Sequence, residues 1–369
     1  SILKEGSIWN IFPPMQGENS SMKIVAKKDN SVLFKELWNT FIKNNEVASQ
    51  CEIQKIEYYL ITNKEHIVSD ESFVLTDKSK KCLAICFLPI YSNPEFNYMN
   101  GFAPIATKKK YLLKSFEYIE DVARSNNVAK IELSINICFS QYGLWRHNYL
   151  RDYGYLDTSS NSHIFYLDKD PEDLFLQFNA STRRIIRKFE RENNHQIVVY
   201  DDKNITKSVF LNYKKYHKIC AGRQTRSDDS FDIMLELIRS KKSVLIELTY
   251  LNKVVGYLLV FLQYPFADMA SMANLPEYEE SVPIYRLLLW QAIQFCSNYK
   301  LLIGGFPAGY SLVDGFKSYM DEKQLKISQY KAFVGFNSIQ VFNGVKYLNE
   351  QVMIDEISIF QEKIMKSIE

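Results

Sequence analysis

The sequence predicts an α/β protein made of two similar domains, with mixed central sheets flanked by helices. The chain of 369 residues is too long for one ordinary hydrophobic core. Its apolar fraction of 46% and aromatic fraction of 14% are large enough for sizeable cores and exclude a disordered chain. Short apolar runs, typical of buried strands, alternate with amphipathic runs, typical of helices.

In the first half of the sequence, apolar residues recur at helical spacing in some segments and form short runs in others. Helices are expected over residues 32–44, 110–125 and 145–153. Strands are expected over residues 56–61, 72–75, 129–137 and 163–167. The continuous apolar run 82–91 is typical of one strand covered on both faces. Glycine and proline in YMNGFAP, residues 98–104, predict a break between elements.

The second half of the sequence predicts the same kinds of element in a similar order. Helices are expected over residues 174–193, 208–220, 230–239 and 285–298, and a last helix begins at about residue 348. Strands are expected over residues 243–250, 253–263, 267–274 and 301–303.

One succession of elements occurs in both halves: a strand, a break that contains proline, a long helix and a second strand. It runs from YMNGFAP to KIELSI in the first half and from SMANLPEYEESVP to KLLIGGF in the second. This predicts two copies of one α/β unit, although any α/β protein shows similar successions. We place the boundary near residues 168–171, with an N-terminal domain of residues 1–168 and a C-terminal domain of residues 169–330.

The charge, the cysteines and the hydropathy of the chain indicate what kind of protein it is and where in the cell it is expected. The formal net charge is +2 at pH 7, so any basic surface for nucleic acid or membrane has to be local. The six cysteines lie mostly in apolar runs without a CxxC pair, which predicts buried free thiols and no metal site. No apolar run approaches the length of a membrane span. The first residues lack a signal-peptide pattern, so a cytoplasmic protein is expected.

A glycine-rich stretch, residues 301–320, carries the candidate catalytic residues. Its apolar start, LLI, is followed by glycines that let the backbone pass close to a ligand. Phe316 and Lys317 stand at its end. A lysine held on such a loop stabilises negative charge that develops during a reaction. The alternative is a surface hairpin with a solvated lysine.

The segment FNASTRRIIRKFEREN predicts a strongly cationic helix. Asn179 or Ser181 is suited to cap its first turn, and Ile186 and Phe189 belong to a narrow apolar stripe. Clustered cations repel one another, so stability alone does not explain them, whereas a partner with phosphates does. The alternative is a solvated face with ion pairs. The candidate donor-binding residues are Arg183, Arg184, Arg187, Lys188 and Arg191.

The segment HKICAGRQTRSDDSF carries candidates for substrate binding. Arg223 and Arg226 share one short loop, and each guanidinium binds a carboxylate or phosphate in a bidentate way. Local pairing with Asp228 and Asp229 is the open alternative. His217 is the best-placed histidine for acid–base chemistry, although a helix histidine is more often structural. The candidate substrate-binding residues are His217, Arg223, Arg226 and Tyr285, the last at the start of the predicted helix 285–298.

Several of these segments occur in the order of a known family. A basic helix with RRxIRKxERE, an H…GR…R segment, a proline-bearing break before a helix, and GFK after a glycine-rich loop follow one another at similar distances. The chain thereby resembles the FemAB/FemX group of aminoacyltransferases, within the larger GNAT fold class of N-acetyltransferases. The resemblance is clearest over residues 168–335 and fits the first half in outline.

The resemblance implies two GNAT-like domains in tandem, with the C-terminal segment 331–369 returning to the first. It implies acyl transfer to an amine, in the best-known members from aminoacyl-tRNA to a peptidoglycan precursor. The family's Phe-Lys pair falls on Phe316 and Lys317, where the lysine stabilises the oxyanion of the tetrahedral intermediate. The family's acceptor-phosphate arginine falls on Arg223 or Arg226. No heptad insertion follows the basic helix, so the chain is similar to members without a coiled-coil arm.

The resemblance also implies the partners. These are aminoacyl-tRNA as donor, a nucleotide-sugar or lipid-linked cell-envelope precursor as acceptor, and no tightly bound cofactor. Acetyl-CoA enzymes of the fold class place a glycine-rich turn before the helix that here begins near Tyr285, but the segment EYEESVPIYR has no glycine. An acyl-CoA-dependent N-acyltransferase acting on an amino sugar is the alternative enzyme. A catalytically silent binding domain is the alternative outside enzymes.

Overall fold

The computed structural model describes residues 22–45, 47, 51–135, 147–305 and 322–368. Its helices are α1 (Ser31–Asn44), α2 (Ile53–Thr62), α3 (Lys110–Ser125), α4 (Pro171–Leu176), α5 (Ala180–Glu192), α6 (Lys207–Ala221), α7 (Asp228–Arg239), α8 (Ile284–Phe295), α9 (Glu322–Val334) and α10 (Glu350–Ile368). Within the described part of the chain, none of these helices combines the length and the apolar character that crossing a membrane requires.

The strands are short in the first part of the chain and longer in the second. They are β1 (Lys23–Ala26), β2 (Ile67–Asp70), β3 (Phe73–Thr76), β4 (Cys82–Cys86), β5 (Pro89–Ser92), β6 (Asn97–Phe102), β7 (Ile105–Ala106), β8 (Val128–Ser134), β9 (Leu156–Asp157), β10 (Ser160–Tyr166), β11 (His195–Tyr200), β12 (Ser243–Tyr250), β13 (Lys253–Gln263), β14 (Phe266–Asn274), β15 (Leu301–Gly305), β16 (Asn337–Val341) and β17 (Asn343–Tyr347). Short 3₁₀ helices lie at Tyr149–Tyr153 and Pro276–Tyr278.

Among the described residues the strands form three sheets. The N-terminal half of the molecule contains a four-stranded sheet, β1-β3-β4-β7, and a six-stranded sheet, β2-β5-β6-β8-β17-β9. The C-terminal half contains a seven-stranded sheet, β11-β12-β13-β14-β15-β10-β16. Helices α1, α3 and α10 pack in the N-terminal half, and α4 to α9 pack in the C-terminal half. The predicted architecture, mixed sheets flanked by helices, is therefore confirmed.

Each half contains one βαβ unit with parallel strands. In the N-terminal half α3 connects the parallel strands β6 and β8. In the C-terminal half α8 connects the parallel strands β14 and β15. The succession that repeats in the sequence is thus the same structural unit, present once in each half.

The chain crosses between the halves twice, and both crossings lie at the β10–β16 edge of the C-terminal sheet. Strand β10 pairs with β15 on one side and with β16 on the other, so it completes the C-terminal sheet. Strand β17 pairs with β8 and β9, so it completes the six-stranded sheet of the N-terminal half. The domain boundary at residue 168 stays a prediction. Strand β10 lies before this residue in the chain, but it belongs to the C-terminal sheet.

Apolar side chains cover both faces of the C-terminal sheet. Alternate residues of a strand point to opposite faces, and on β12 Leu245 and Ile246 illustrate this. Ile246 packs in the core beneath α5 and α8 with Leu288, whereas Leu245 packs in the core beneath α6 and α7 with Phe231. Each such side chain, when fully buried, contributes about 1.5–3 kcal/mol to stability. The sheet is therefore held between two helical layers.

Residues 56–61 belong to helix α2, so the predicted strand at this position is wrong. Ile53, Ile56 and Leu60 recur every three or four residues, which is the spacing of one helix face. The short apolar run IEYYLI fits either a helix or a strand when it is viewed alone. The side chain of Glu52, the N-cap residue, does not cap the helix, so the sequence has no capping residue that would favour a helix over a strand.

Two further predictions in the N-terminal half need correction. The run 82–91 is not one strand, because β4 and β5 belong to different sheets. The segment 98–104, predicted to be a break, lies largely in β6. A Cβ on Gly101 would lie 2.0 Å from the carbonyl oxygen of Phe87. This glycine therefore allows two backbones to pack closely and does not mark a turn.

Other bounds follow the sequence patterns closely. Helices α1 and α3 and strands β12 and β13 lie within one residue of their predicted ranges. The predicted helix 174–193 is two helices, because Asn179 begins α5 as a new N-cap and accepts a hydrogen bond from the Thr182 amide at 2.7 Å. The sequence patterns do not predict strands β1, β2, β11 and β16.

The described cysteines are all free thiols. Burial raises the pKa of Cys82 and the pKa of Cys296 to about 12. Cys220 is exposed near the end of α6, so the prediction of burial is wrong for this residue. Cys138 lies outside the described residues. The buried thiols are Cys51, Cys82, Cys86 and Cys296.

Two buried charged groups lie where α2 meets β13 and β14. Lys55 on α2 is fully buried; its Nζ lies 4.3 Å from the centre of the Phe261 ring and has no hydrogen-bond partner among the described residues. Asp268 on β14 is 8% exposed, and its Oδ1 likewise has no hydrogen-bond partner among those residues. Burial lowers the pKa of Lys55 to about 7 and raises the pKa of Asp268 to about 6, and the opposite charges limit both shifts.

We predict that Lys55 makes the free energy of unfolding rise with pH between about pH 7 and 9. The unfolded lysine, with its pKa near 10.5, binds a proton in this range that the folded lysine, with its pKa near 7, does not bind. One such group contributes a slope of up to ~1.4 kcal/mol per pH unit. Urea unfolding at several pH values should therefore give a shallower rise for Lys55→Met than for the wild type. Equal slopes for the two proteins would contradict the prediction.

Candidate functional site

Among the described residues, the parallel strands β14 and β15 are paired over only part of their length. They pair only from Phe266 opposite Leu301 to Asp268 opposite Ile303, although β14 continues to Asn274. Beyond this point β14 stays paired with β13, and β15 stays paired with β10. Residues 269–272 of β14 are half-buried. Among the described residues, the edge of β14 that faces β15 therefore has no strand partner beyond Asp268, and backbone groups at such an edge are suited to bind a ligand.

A β-bulge shapes this part of β14. Leu259 of β13 pairs with Ser271, whereas the next residue, Val260, pairs with Met269, so Ala270 is the extra residue. Asp268 and Ser271 are opposite Phe261 and Leu259, which both belong to the core beneath α6 and α7. The bulge therefore places Asp268 and Ser271 on the same face of the sheet, although they are three residues apart.

Three polar side chains meet at this edge and form what we call the Arg226 cluster: Arg226, His217 and Ser271. The Arg226 Nη1 lies 3.0 Å from His217 Nε2 and 3.0 Å from Ser271 Oγ. His217 is on α6, Arg226 is on the loop before α7, and Ser271 is on β14. The structure thus brings together two of the sequence-predicted residues and one that the sequence reasoning missed.

His217 orients the arginine and remains neutral. It is 9% exposed and packs edge-on against the rings of Tyr213 and Phe231. Burial, assisted by the Arg226 charge, lowers the pKa of His217 to about 4. Neutral imidazole has one nitrogen free to accept, so Nε2 accepts the N–H of Arg226. A histidine held in this state is a positioning residue for the guanidinium and not an acid or base near neutral pH.

The local pairing of the arginines with Asp228 and Asp229 does not occur. Asp228 lies 2.8 Å from Lys214 Nζ, and Asp229 lies 3.3 Å from Lys64 Nζ. Among the described residues, therefore, no carboxylate forms an ion pair with Arg226. Its hydrogen bonds to His217 and Ser271 both use Nη1, so these two described partners leave other N–H donors of the guanidinium for an anionic ligand.

Tyr58 of the N-terminal half also lies at the Arg226 cluster. It is buried on α2, and the Arg226 charge opposes the rise that burial causes in the pKa of Tyr58. Next to it, Thr62 Oγ1 lies 3.2 Å from Ser230 Oγ on α7. Both halves of the molecule therefore contribute to the surroundings of the cluster. No sequence motif marks Tyr58, because its helix was predicted as a strand.

Arg223 and Tyr285 are not part of this cluster. Arg223 is exposed on the loop after Gly222, and no described side chain pairs with it. Tyr285 packs with the core beneath α5 and α8, on the opposite face of the sheet, with its ring 5.3 Å from the ring of Tyr330. Its buried hydroxyl has no hydrogen-bond partner among the described residues, and burial raises its pKa.

Phe316 and Lys317 lie outside the described residues. The strand that leads to them, β15, ends at Gly304 and Gly305, whose carbonyl oxygens both accept hydrogen bonds from Lys331 Nζ of α9. Lys331 is buried, and burial lowers its pKa to about 8. This lysine, which the sequence reasoning missed, fixes the strand end from which the glycine-rich stretch departs.

The cationic helix α5 uses its cations in different ways. Arg183 donates to the carbonyl oxygens of Leu176 and Phe178 at 3.0 and 2.9 Å, so it stabilises the turn before the helix. Lys188 lies 3.6 Å from Glu192, a weak surface ion pair. The remaining surface is basic, and its exposed cations are Arg184, Arg187, Lys188 and Arg191.

No group of three or more histidine, cysteine, aspartate or glutamate side chains is placed to hold a metal ion in the described ranges.

Known structures share this fold. FemX superimposes with a TM-score of 0.64 and 10% sequence identity, over 87% of this chain and 98% of that chain. L-PGS from Bacillus licheniformis gives a TM-score of 0.56 and 12% identity, over 88% and 95% of the two chains. The C-terminal domain of a putative lysylphosphatidylglycerol synthetase from Agrobacterium fabrum gives 0.55 and 12%, over 84% and 91%. Neither a family model nor a curated protein sequence matches the chain.

These similarities show that the chain shares the fold of FemX and L-PGS over most of its length, and each half contains one βαβ unit, in agreement with the predicted two-unit α/β architecture. Within that architecture the chain has the fold of FemX. Only residues 193 and 194 separate α5 from β11, so no coiled-coil arm follows the basic helix. The superposition establishes the shared fold, whereas a sequence identity near 10% does not establish a shared reaction.

We predict that His217 does not titrate between about pH 5 and 8. An NMR pH titration of the imidazole resonances tests this, and loss of one resonance in His217→Gln assigns it among the five histidines of the chain. Arg226→Met removes one of the two causes of the lowered pKa, so the pKa of His217 should rise but stay below 6.5 because burial remains. Arg223→Met is the matched control and should leave it unchanged. A wild-type pKa near 6.5 would contradict the neutral state.

Proposed function

We propose that the chain is an aminoacyltransferase that moves an aminoacyl group from charged tRNA onto an amine of a cell-envelope precursor in the cytoplasm. The observation that carries this proposal is the guanidinium of Arg226, which lacks a carboxylate partner among the described residues and lies at the open edge of β14. The fold shared with FemX and L-PGS supports acyl transfer, and the name of the Agrobacterium neighbour includes the synthesis of an aminoacylated lipid.

The proposed reaction is direct transfer through a tetrahedral intermediate. The acceptor amine attacks the carbonyl carbon of the aminoacyl ester, a C–N bond forms, and the C–O bond to the tRNA ribose breaks. In our proposal Lys317 stabilises the oxyanion of the intermediate, and Phe316 precedes it on the same stretch. Arg226, with Arg223 further out on the loop, binds phosphate of the acceptor in a bidentate way.

Two observations support tRNA over acyl-CoA as the donor. The exposed cations of α5 offer places for several phosphates of a polyanion. The start of α8, in contrast, has few free amides for a CoA pyrophosphate. Pro283 has no N–H, the Ile284 amide donates to the Val282 carbonyl, and the Arg286 amide donates to the Pro283 carbonyl. Glu279, just before this turn, adds negative charge.

We predict that Lys317→Met lowers the turnover rate by about 10²–10³-fold, the loss expected for one oxyanion-stabilising donor. Methionine keeps most of the side-chain length and removes the charge. The measurement is single-turnover transfer from charged tRNA, with circular dichroism to verify folding. Lys203→Met, which removes an exposed lysine in the turn before α6, is the control and should keep wild-type activity.

Transfer at a near wild-type rate by folded Lys317→Met would contradict the catalytic role of Lys317. If the wild type itself transfers no acyl group from tRNA or from acyl-CoA, the binding-domain alternative replaces the enzyme proposal.

We predict that the protein binds bulk tRNA with a steep dependence on salt. Each phosphate neutralised contributes roughly 0.7–0.9 to the slope of log affinity against log salt, so a contact through several cations of α5 gives a slope of several units. Filter binding across a salt series measures this slope. Arg184→Glu with Arg187→Glu should abolish retention without unfolding the protein.

The control for charge alone is Lys78→Glu with Lys81→Glu, which makes the same change on the exposed turn between β3 and β4. It should reduce tRNA binding far less than the α5 variant. A thermal-shift assay with acetyl-CoA runs beside it. Stabilisation by acetyl-CoA without retention of tRNA at low salt would overturn the tRNA proposal and favour the CoA-dependent enzyme.

A further inference from the structure

A surface pocket lies beside the N-terminal part of α6, apart from His217 and the Arg226 cluster. It has a volume of about 450 Å³, is open to solvent, and is lined by the N-terminal part of α6 and strands β11, β12 and β13. Its size is within the range of small-molecule sites in proteins. The side chains that matter for its chemistry are Tyr200, Asn212, Lys215, Glu247 and Tyr257.

Glu247 is the unusual member of this pocket. It is on β12, in the run SVLIELTY, and is 8% exposed. Two residues earlier on the same strand, Leu245 packs fully buried in the core beneath α6 and α7. Since residues two apart share a face of a strand, an apolar residue would suit position 247 for stability. Burial of a carboxylate is costly unless it is paired, so folding alone does not account for Glu247.

The described groups that form hydrogen bonds around Glu247 are hydroxyls and an amide. The Tyr200 hydroxyl donates to Glu247 Oε1 at 3.2 Å, and Asn212 Nδ2 donates to the Tyr257 hydroxyl at 2.7 Å. Burial and the Glu247 charge raise the pKa of Tyr200 to about 12 and raise the pKa of Tyr257 further, so both phenols stay protonated. Within the described ranges no lysine or arginine forms an ion pair with Glu247. Among these residues the carboxylate thus has no cationic partner, so a cation that enters the pocket can pair with it.

The opposite charge is at the exposed end of the pocket. Lys215, one turn after Leu211 on α6, is exposed and lines the same pocket. Val209 and Leu211 add an apolar wall beside these charges. A pocket with one buried carboxylate, one exposed ammonium and an apolar wall matches a small zwitterion with an apolar side chain.

We propose that this pocket binds a free α-amino acid, with its ammonium group at Glu247, its carboxylate toward Lys215 and an apolar side chain against Val209 and Leu211. The Tyr200 and Tyr257 hydroxyls complete the polar contacts. This site is separate from the Arg226 cluster and does not depend on the proposed acyl transfer, because it concerns binding of the free ligand in the absence of tRNA.

Isothermal titration calorimetry of the full chain tests the proposal with three probes: L-leucine, L-leucinamide and N-acetyl-L-leucine. L-Leucine should bind, L-leucinamide, which keeps the ammonium group, should bind more weakly, and N-acetyl-L-leucine, which lacks it, should not bind. Glu247→Gln should weaken L-leucine about tenfold or more, since it removes a charge-assisted hydrogen bond. Glu236→Gln, on the exposed face of α7, is the matched control and should bind as the wild type does.

Lys215→Ala provides a second test that does not change the buried residue Glu247, so a folding defect at that residue cannot affect it. This surface variant should weaken L-leucine and leave L-leucinamide unchanged, because only L-leucine carries the carboxylate. Any of three results would overturn the proposal: no binding of L-leucine by the wild type at millimolar concentration, equal binding by folded Glu247→Gln, or equal binding of L-leucine and N-acetyl-L-leucine. If L-leucinamide binds as tightly as L-leucine and Lys215→Ala has no effect, the pocket binds simple amines and the amino-acid assignment is wrong.

Discussion

Strand exchange between the two halves is the constraint on which the rest of the structure depends. Strand β10 is hydrogen-bonded to β15 and β16 in the C-terminal sheet, and β17 is hydrogen-bonded to β8 and β9 in the N-terminal half. Removal of either strand would expose two sheet edges and their unpaired backbone groups. Each sheet therefore needs a segment of the chain from beyond its own half. Main-chain hydrogen bonds, and not side-chain contacts alone, hold the halves together.

This fixed arrangement lets one helix of the N-terminal half take part in the candidate site. Helix α2 lies against α7, where Thr62 contacts Ser230 and Lys64 pairs with Asp229. One turn earlier it carries Tyr58 to the Arg226 cluster, and at its start it buries Lys55 against Phe261. A buried ammonium without a hydrogen-bond partner is costly. The apolar packing on both sides of α2 and the main-chain connections between the halves have to offset that cost.

The sequence predicted those parts of the fold and site in which the signal is local. The βαβ units and helices α1 and α3 have long periodic patterns, and His217 and Arg226 lie nine residues apart across one helix end. Helix α2 was not predicted, because its short apolar run fits the residue spacing of a helix and that of a strand equally well. Ser271 and Tyr58 were missed because they reach the cluster from distant elements, and Ser271 does so only through the bulge at Ala270. Glu247 was overlooked because one acid within an apolar strand forms no motif.

The described neighbours of Arg226 are uncharged, and this has an electrostatic consequence. A carboxylate beside the guanidinium would satisfy it and reduce its attraction for an anionic ligand, whereas a charged histidine would repel it. The nearby acids Asp228 and Asp229 are instead paired with Lys214 and Lys64, and His217 is neutral because it is buried. The guanidinium is therefore oriented by neutral groups that leave its full positive charge. A cation held in this way at β14 is suited to bind phosphate or a developing anion.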